Sequence, residues 1–196
     1  MKRPVTIVAT VFAGLMLSFT VATTSIWSSD AVHSRLGFTV KHMGLSDLNG
    51  DFKEYEVKMT ATKEDFSDAK VEVSGSINSI NTGSEMRDGH LKSADFFDAE
   101  KFPKFTFVSK SFTKAAKSKN EYTVVGDLTL HGVTKEVTMN AVYNGTITHP
   151  MNKKEVSGFK MTGVIKRMDY GVGATTPVNA ASDEVKITCD LEMVKE

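Results

Sequence analysis

Cysteine is almost absent from this chain of 196 residues, which holds only Cys189. A single cysteine excludes an intramolecular disulfide and the zinc and redox sites that are built from paired cysteines. A basic excess is also absent, because 24 lysines and arginines are balanced by 24 aspartates and glutamates. Since nucleic-acid binding needs a basic surface that neutralises phosphates, the composition argues against a nucleic-acid partner.

One long run without charged residues is present, from Val5 to Ala22, and it follows Lys2 and Arg3. A basic start before an apolar segment is typical of a secretory signal peptide, here residues 1–22, which leaves a mature domain of residues 23–196. Its removal leaves 22 basic and 24 acidic residues of the original 24 and 24. We therefore expect export to the periplasm. A run of this length can also span a bilayer, so an uncleaved anchor is the alternative.

The rest of the chain alternates apolar and polar residues, which is the pattern of strands buried on one face. Eight runs show it: Leu36 to Val40, Tyr55 to Ala61, Val71 to Ile77, Phe105 to Phe107, Tyr122 to Leu130, Val137 to Tyr143, Phe159 to Ile165 and Val185 to Met193. One segment, 84–98, has helical spacing, with Ser84 as its expected N-cap. The sequence predicts one all-β domain, an antiparallel barrel or sandwich of about eight strands with one short helix.

One hairpin can be given a register. If residues 131–132 form a two-residue turn, Gly126 lies opposite Val137, and the apolar residues of both strands share a face. The same register places Asp127 opposite Glu136, and directly opposed like charges are unfavourable. Sequence alone offers no compensation for that pair.

The segment with helical spacing carries a polar group, Arg87, Asp88 and His90. A guanidinium binds phosphate through two parallel hydrogen bonds, so these residues are suited to an anionic head group. The alternative is structural, with Arg87 and Asp88 capping the helix and tying it to the sheet.

Other polar motifs have simpler explanations. Arg167 and Asp169 follow a strand and predict an ion-paired corner. His33 and His42 are separated by nine residues and point to opposite faces of an extended strand, so no metal site is predicted there. Cys189 is in phase with its apolar neighbours, which predicts a buried thiol. No phosphate loop, nucleotide fingerprint, nucleophile elbow or zinc-protease motif is present in the sequence, so no catalytic residue is predicted.

Taken in order, the motifs resemble the YceI-like family, also called the polyisoprenoid-binding family. The matching residues are Asp30-x-x-His33-Ser34, Phe38-x-Val40-Lys41-His42, Gly50-x-Phe52, Ser79-Ile80-x-Thr82, Arg87-Asp88-x-His90-Leu91, Phe96-Phe97-Asp98, Phe102-Pro103-x-Phe105-x-Phe107, Gly126-Asp127-Leu128-Thr129-x-x-Gly132-Val133-Thr134 and Arg167-x-Asp169-Tyr170-Gly171. The resemblance spans residues 27–193.

The resemblance implies a lipocalin-like β-barrel that holds a long isoprenoid lipid, either a polyprenyl phosphate or a quinone, in an apolar tunnel in the periplasm. Some members are associated with stress responses. Twelve residues are predicted to line the tunnel: Phe38, Val40, Ile77, Phe97, Phe105, Phe107, Val137, Met139, Phe159, Met161, Ile165 and Ile187. Six are predicted for the polar end: Arg87, Asp88, His90, His33, His42 and Arg167.

Alternatives remain open at this point. The alternating strands can fill a solid core instead of lining a tunnel, because the period is the same for both. A metal-dependent or histidine-dependent enzyme would use His33, His42, Asp88 and His90. After the lipid-binding protein and the enzyme, the third candidate function is a membrane-tethered accessory of a quinone or cytochrome b561-type redox complex. A homodimer is a further expectation, and no cofactor is predicted apart from a bound lipid or quinone.

Overall fold

The chain between residues 23 and 196, the part that the computed structural model describes, is built almost entirely of strands. The predicted signal peptide lies outside the described residues. The strands are β1 (Ser25–Ser29), β2 (Arg35–His42), β3 (Ser46–Phe52), β4 (Tyr55–Ala61), β5 (Lys70–Ser76), β6 (Ile80–Asn81), β7 (Lys104–Lys114), β8 (Glu121–Leu130), β9 (Val133–Thr148), β10 (Glu155–Lys166) and β11 (Ala181–Lys195). The helix α1 is Glu85–Lys92, and 3-10 turns occupy Ile77–Ser79 and Arg167–Tyr170.

Eight strands close into a barrel in the order β1, β4, β5, β7, β8, β9, β10 and β11. The ring closes because β1 pairs with β4 along one edge and with the end of β11 along the other. The first part of β11 pairs instead with β2, from which β3 and β6 continue. All these pairings are antiparallel. The lipocalin-like antiparallel barrel with one short helix is confirmed.

The two ends of the barrel differ. At one end, which we call the closed end, the loop 62–69 inserts the buried ring of Phe66. Its centroid lies 5.4 Å from Trp27, 5.3 Å from Tyr143 and 5.2 Å from Phe159. These edge-to-face contacts fill the lumen with aromatic side chains. The opposite end, which we call the open end, carries the 43–45 turn, α1 and the 171–180 loop.

The predicted hairpin register is confirmed, with Gly126 opposite Val137. The two carboxylates are opposed as well, Asp127 across from Glu136. The neighbouring strand β7 supplies the missing compensation, because Lys110 Nζ lies 2.6 Å from Asp127 and 3.1 Å from Glu136. One cation therefore bridges the two like charges.

The strand predictions failed at short or polar segments. Period two did not identify β1, β3 or β6, since they are brief or rich in serine, asparagine and aspartate. Val71 to Ile77 ends one residue beyond β5, and Ile77 opens a 3-10 turn. Ser84 does precede α1, but its side chain makes no capping hydrogen bond. Within residues 23–196, no helix has both the length and the hydropathy that a membrane span requires.

Candidate ligand-binding cavity

A cavity of about 400 Å³ occupies the barrel between its middle and the open end. Small-molecule sites in proteins have volumes of roughly 300–1,000 Å³ and mainly apolar walls. Every strand from β2 to β11 except β6 contributes to the wall, and so do α1 and the 171–180 loop. The alternating strands thus line a cavity here and do not pack into a solid core.

Ten of the twelve predicted tunnel residues line this cavity: Phe38, Val40, Phe97, Phe105, Phe107, Val137, Met139, Met161, Ile165 and Ile187. Two do not. Ile77 is buried in a 3-10 turn, where the strand has already ended, and is not part of the cavity wall. Phe159 packs at the closed end, 5.3 Å from Tyr143 and 6.4 Å from Phe112. That the ten residues bind a ligand stays a prediction.

An aromatic cluster centred on Phe52 shapes the wall beside α1. Its ring lies 4.7 Å from Phe105, 5.7 Å from Phe38 and 6.4 Å from Phe97. Each of the three contacts joins β3 to a different element: to β7, to β2 and to the segment after α1. The cluster fixes one side of the cavity and leaves its interior apolar.

Arg87 is held at the cavity by a short relay of hydrogen bonds. Its Nε donates to Thr82 Oγ1 at 2.7 Å, and its Nη2 donates to the Thr82 carbonyl at 2.7 Å. Thr82 in turn donates through its Oγ1 at 2.5 Å and its backbone N–H at 2.9 Å to Asp88 Oδ1. Within residues 23–196 no acceptor pairs with Nη1 of Arg87, so this nitrogen is free to bind a ligand.

The hydrogen bonds of this relay give Arg87 and Asp88 different roles at the polar end. Asp88 is buried, and its side chain does not line the cavity. It positions Thr82, which holds Arg87, so Asp88 contributes to the polar end only indirectly. Thr82 does line the cavity and was not among the predicted site residues, although it ends the preceding motif, Ser79-Ile80-x-Thr82.

The three predicted histidines separate in space. His42 ends β2 and His90 lies on α1, and both line the open end of the cavity. The imidazole of His90 is 4.9 Å from the ring of Phe96, in an edge-to-face contact. His33 is not part of the cavity wall and lies in the turn between β1 and β2.

His33 instead pairs with Asp30. Its Nδ1 is 3.0 Å from Asp30 Oδ2, and this hydrogen bond raises the pKa of His33 and lowers the pKa of Asp30. The carboxylate of Glu192 lies near the pair, and the three groups are within 4.8 Å of one another. Asp30 also accepts hydrogen bonds from the backbone N–H groups of Val32 and His33, so a turn holds Asp30 and His33 together.

Arg167 lines the cavity, but all its N–H groups are used by the protein. Nε donates to the carbonyl of Ser182, Nη1 to those of Val172 and Gly173, and Nη2 to those of Thr176 and Ala181. Burial lowers the pKa of Arg167, whose side chain is 5% exposed. With no donor left for a head group, Arg167 is a scaffold residue of the loop that borders the cavity.

The predicted ion pair of Arg167 with Asp169 is wrong. Asp169 pairs with Lys135 from β9, whose Nζ lies 3.2 Å from Asp169 Oδ1. Cys189 is buried as predicted, and burial raises the pKa of its thiol to about 12. Its side chain is part of the cavity wall.

The chain is similar in sequence and in structure to several known proteins. A UPF0312 protein of Staphylococcus aureus (strain MSSA476) is 41% identical over 143 residues, which cover 73% of this chain and 80% of that protein. A YceI protein of Campylobacter jejuni is 31% identical, with a TM-score of 0.71 over 80% of this chain and 90% of its own. A polyisoprenoid binding domain from Saccharophagus degradans, at 18% identity and a TM-score of 0.59 over 87% of this chain and 98% of its own, is alike in fold alone. The family description YceI-like domain matches residues 27–193. The chain therefore belongs to the YceI-like family.

Proposed function

We propose that this protein binds a long isoprenoid lipid in the periplasm, with the prenyl tail in the cavity and the polar head beside Arg87. The observation that carries the proposal is a cavity of about 400 Å³ with apolar walls, at whose open end Nη1 of Arg87 has no acceptor among the described residues. The Saccharophagus degradans domain of the same fold, which is named as polyisoprenoid binding, supports the same class of ligand.

The tail supplies most of the binding free energy. Each buried CH₂ group contributes about 0.8 kcal/mol, so even ten buried carbons contribute about 8 kcal/mol before the costs of association are subtracted. The affinity for such a ligand depends more on the apolar surface that it buries than on directional contacts. The methionines Met139 and Met161 in the wall suit a flexible tail, because their side chains adapt to an irregular partner.

The head group is recognised by fewer residues. Arg87 Nη1 donates to an anionic oxygen, and His42 and His90 lie at the same opening. A polyprenyl phosphate offers a charged acceptor to Arg87, whereas a quinone carbonyl offers a neutral one. Because hydrogen bonds to ionised acceptors are roughly twice as strong as neutral ones, we favour the phosphate.

Titration of the delipidated protein with a polyprenyl phosphate and with a prenyl quinone of equal tail length tests this proposal. Arg87→Gln should weaken phosphate binding about tenfold to a hundredfold, in keeping with about 1.5–3 kcal/mol for a hydrogen bond to a charged group. Its effect on the quinone should be smaller. Lys92→Gln, at the other end of α1, is the matched control. Absence of binding to either lipid by the folded wild type would refute the proposal.

The residues that the enzyme alternative would need do not form one site. The four groups it would use lie apart: His33 is outside the cavity, Asp88 is bonded to Thr82, and only His42 and His90 border the opening. We therefore propose binding without catalysis, for carriage, storage or sequestration of the lipid. A membrane redox partner and a homodimer remain predictions.

A further inference from the structure

Two glycines of the sheet, one on β3 and one on β5, lie directly beneath phenylalanine rings that line the cavity. Strand register pairs Phe38 with Gly50 and Phe105 with Gly75. A Cβ atom placed on Gly50 would lie 2.3 Å from Cζ of Phe38, and one on Gly75 would lie 2.2 Å from Cζ of Phe105. Each ring therefore occupies the space that a side chain on its partner would take, and it lies across the barrel wall.

The same arrangement recurs elsewhere on the wall. Met139 is paired with Gly163, and its sulfur would be 2.2 Å from a Cβ there. Phe107 lies diagonally over Gly126, with Cζ at 2.5 Å from a Cβ, although the carbonyl of Val108 is equally close. All four large side chains, Phe38, Phe105, Phe107 and Met139, line the cavity.

We propose that Gly50 and Gly75 set the width of the cavity and thereby allow a methyl-branched isoprenoid chain to enter. Glycine is the one residue without a Cβ, so it alone lets a ring rest on the backbone of the next strand. A methyl group at either position forces the ring off the wall, and the empty space that can receive it is the lumen. An isoprenoid chain carries a methyl branch on every unit and needs a wider passage than a straight chain does.

This inference rests on the proposed lipid-binding function and adds a selectivity to it. A ring over a glycine also stabilises the pairing of two strands. If that were the whole role, alanine at either position would reduce stability and would weaken all lipids equally. The width role instead predicts a change in the ratio between a branched and a straight ligand.

The experiment compares geranylgeranyl phosphate with hexadecyl phosphate, which share a head group and a sixteen-carbon main chain. They differ by four methyl branches and by unsaturation. Gly50→Ala and Gly75→Ala should each weaken geranylgeranyl phosphate about tenfold more than hexadecyl phosphate, the size expected if roughly two methyl groups lose their contacts. Gly89→Ala is the matched control, because a Cβ at this exposed position of α1 meets no atom within 4 Å.

Affinities that fall equally for both lipids, or that do not change, would overturn the inference. If the wild type bound neither lipid, the proposed function would fail, and the width claim would be decided separately by crystal structures of wild type and Gly75→Ala. Displacement of the Phe105 ring into the lumen supports the claim. A ring that stays on the wall refutes it.

Discussion

Replacement of Arg167 by lysine tests how the open end of the cavity is held in shape. Arg167 donates five hydrogen bonds to the backbone carbonyls of Val172, Gly173, Thr176, Ala181 and Ser182, at 2.6–3.1 Å. A lysine ammonium has three N–H donors where arginine has five. At least two carbonyls therefore lose their partner, even if the ammonium reaches the best position.

The magnitude follows from those two carbonyls. An unpaired buried polar group costs about 1–3 kcal/mol, which gives roughly 2–6 kcal/mol for the pair. Two features favour the lower part of this range. The Gly173 carbonyl also accepts the backbone N–H of Thr176, and Ala174 and Thr175 are exposed, so water reaches the loop. We expect Arg167→Lys to lower the free energy of unfolding by about 2–3 kcal/mol.

Urea denaturation followed by the fluorescence of Trp27, which is the one tryptophan of the chain and is 4% exposed, measures this change. The neighbouring exposed Lys166→Ala is the control and should alter stability by less than about 0.5 kcal/mol. Since Thr176 and Ala181 border the cavity, Arg167→Lys should also release a bound lipid faster than wild type. Stability of Arg167→Lys within about 0.5 kcal/mol of wild type would contradict the reasoning.

Three further predictions concern charges and the thiol. Lys110→Met should lower stability, because Asp127 and Glu136 then oppose each other without a bridging cation; adding Glu136→Gln should recover stability, and denaturation curves that show no recovery would count against the bridge. The hydrogen bond that His33 donates to Asp30 raises the pKa of His33 above 6.5, so the stabilisation from this pair is full below pH 6.5 and is lost as pH rises through the folded-state pKa. An NMR titration of His33 in wild type and Asp30→Asn should show the raised pKa only in the wild type. Because burial raises the pKa of Cys189 from 9.0 to about 12, its stabilising effect is present below pH 9.0 and is lost as pH rises toward 12. Folded protein at pH 8 should therefore react with iodoacetamide far more slowly than urea-unfolded protein, and equal rates would show that the thiol is accessible.

Sequence alone predicted the parts of the fold that depend on local alternation. The hairpin of β8 and β9 was correct residue by residue, because a shift of one position would have moved Val137 to the solvent face. The segment β3 was missed, because Gly50 interrupts its apolar pattern. That glycine is in turn explained only by Phe38 on the next strand, a partner that periodicity within one segment does not reveal.

The candidate site also has a part that could be predicted from the sequence and a part that could not. Ten wall residues could be named from alternation and family resemblance. Nine of them lie on strands, and the inward face of a strand is the same whether it packs or lines a cavity; Phe97 lies in the segment after α1. The part played by each polar residue could not be predicted. Arg87 and Arg167 look alike in sequence. Within residues 23–196, Nη1 of Arg87 has no acceptor, whereas the five N–H groups of Arg167 donate to carbonyls of the 171–180 loop and of the first residues of β11. Long-range hydrogen bonding decides between these roles.

Native mass spectrometry of the protein purified from its native host, followed by extraction and identification of the bound lipid, decides whether the cavity holds an isoprenoid. We predict one isoprenoid lipid per chain, bound in the cavity of about 400 Å³. We also predict that Arg87→Gln purifies with a smaller fraction of phosphorylated lipid. A chain that is empty, or that carries only straight-chain acyl lipids, would contradict the proposed function.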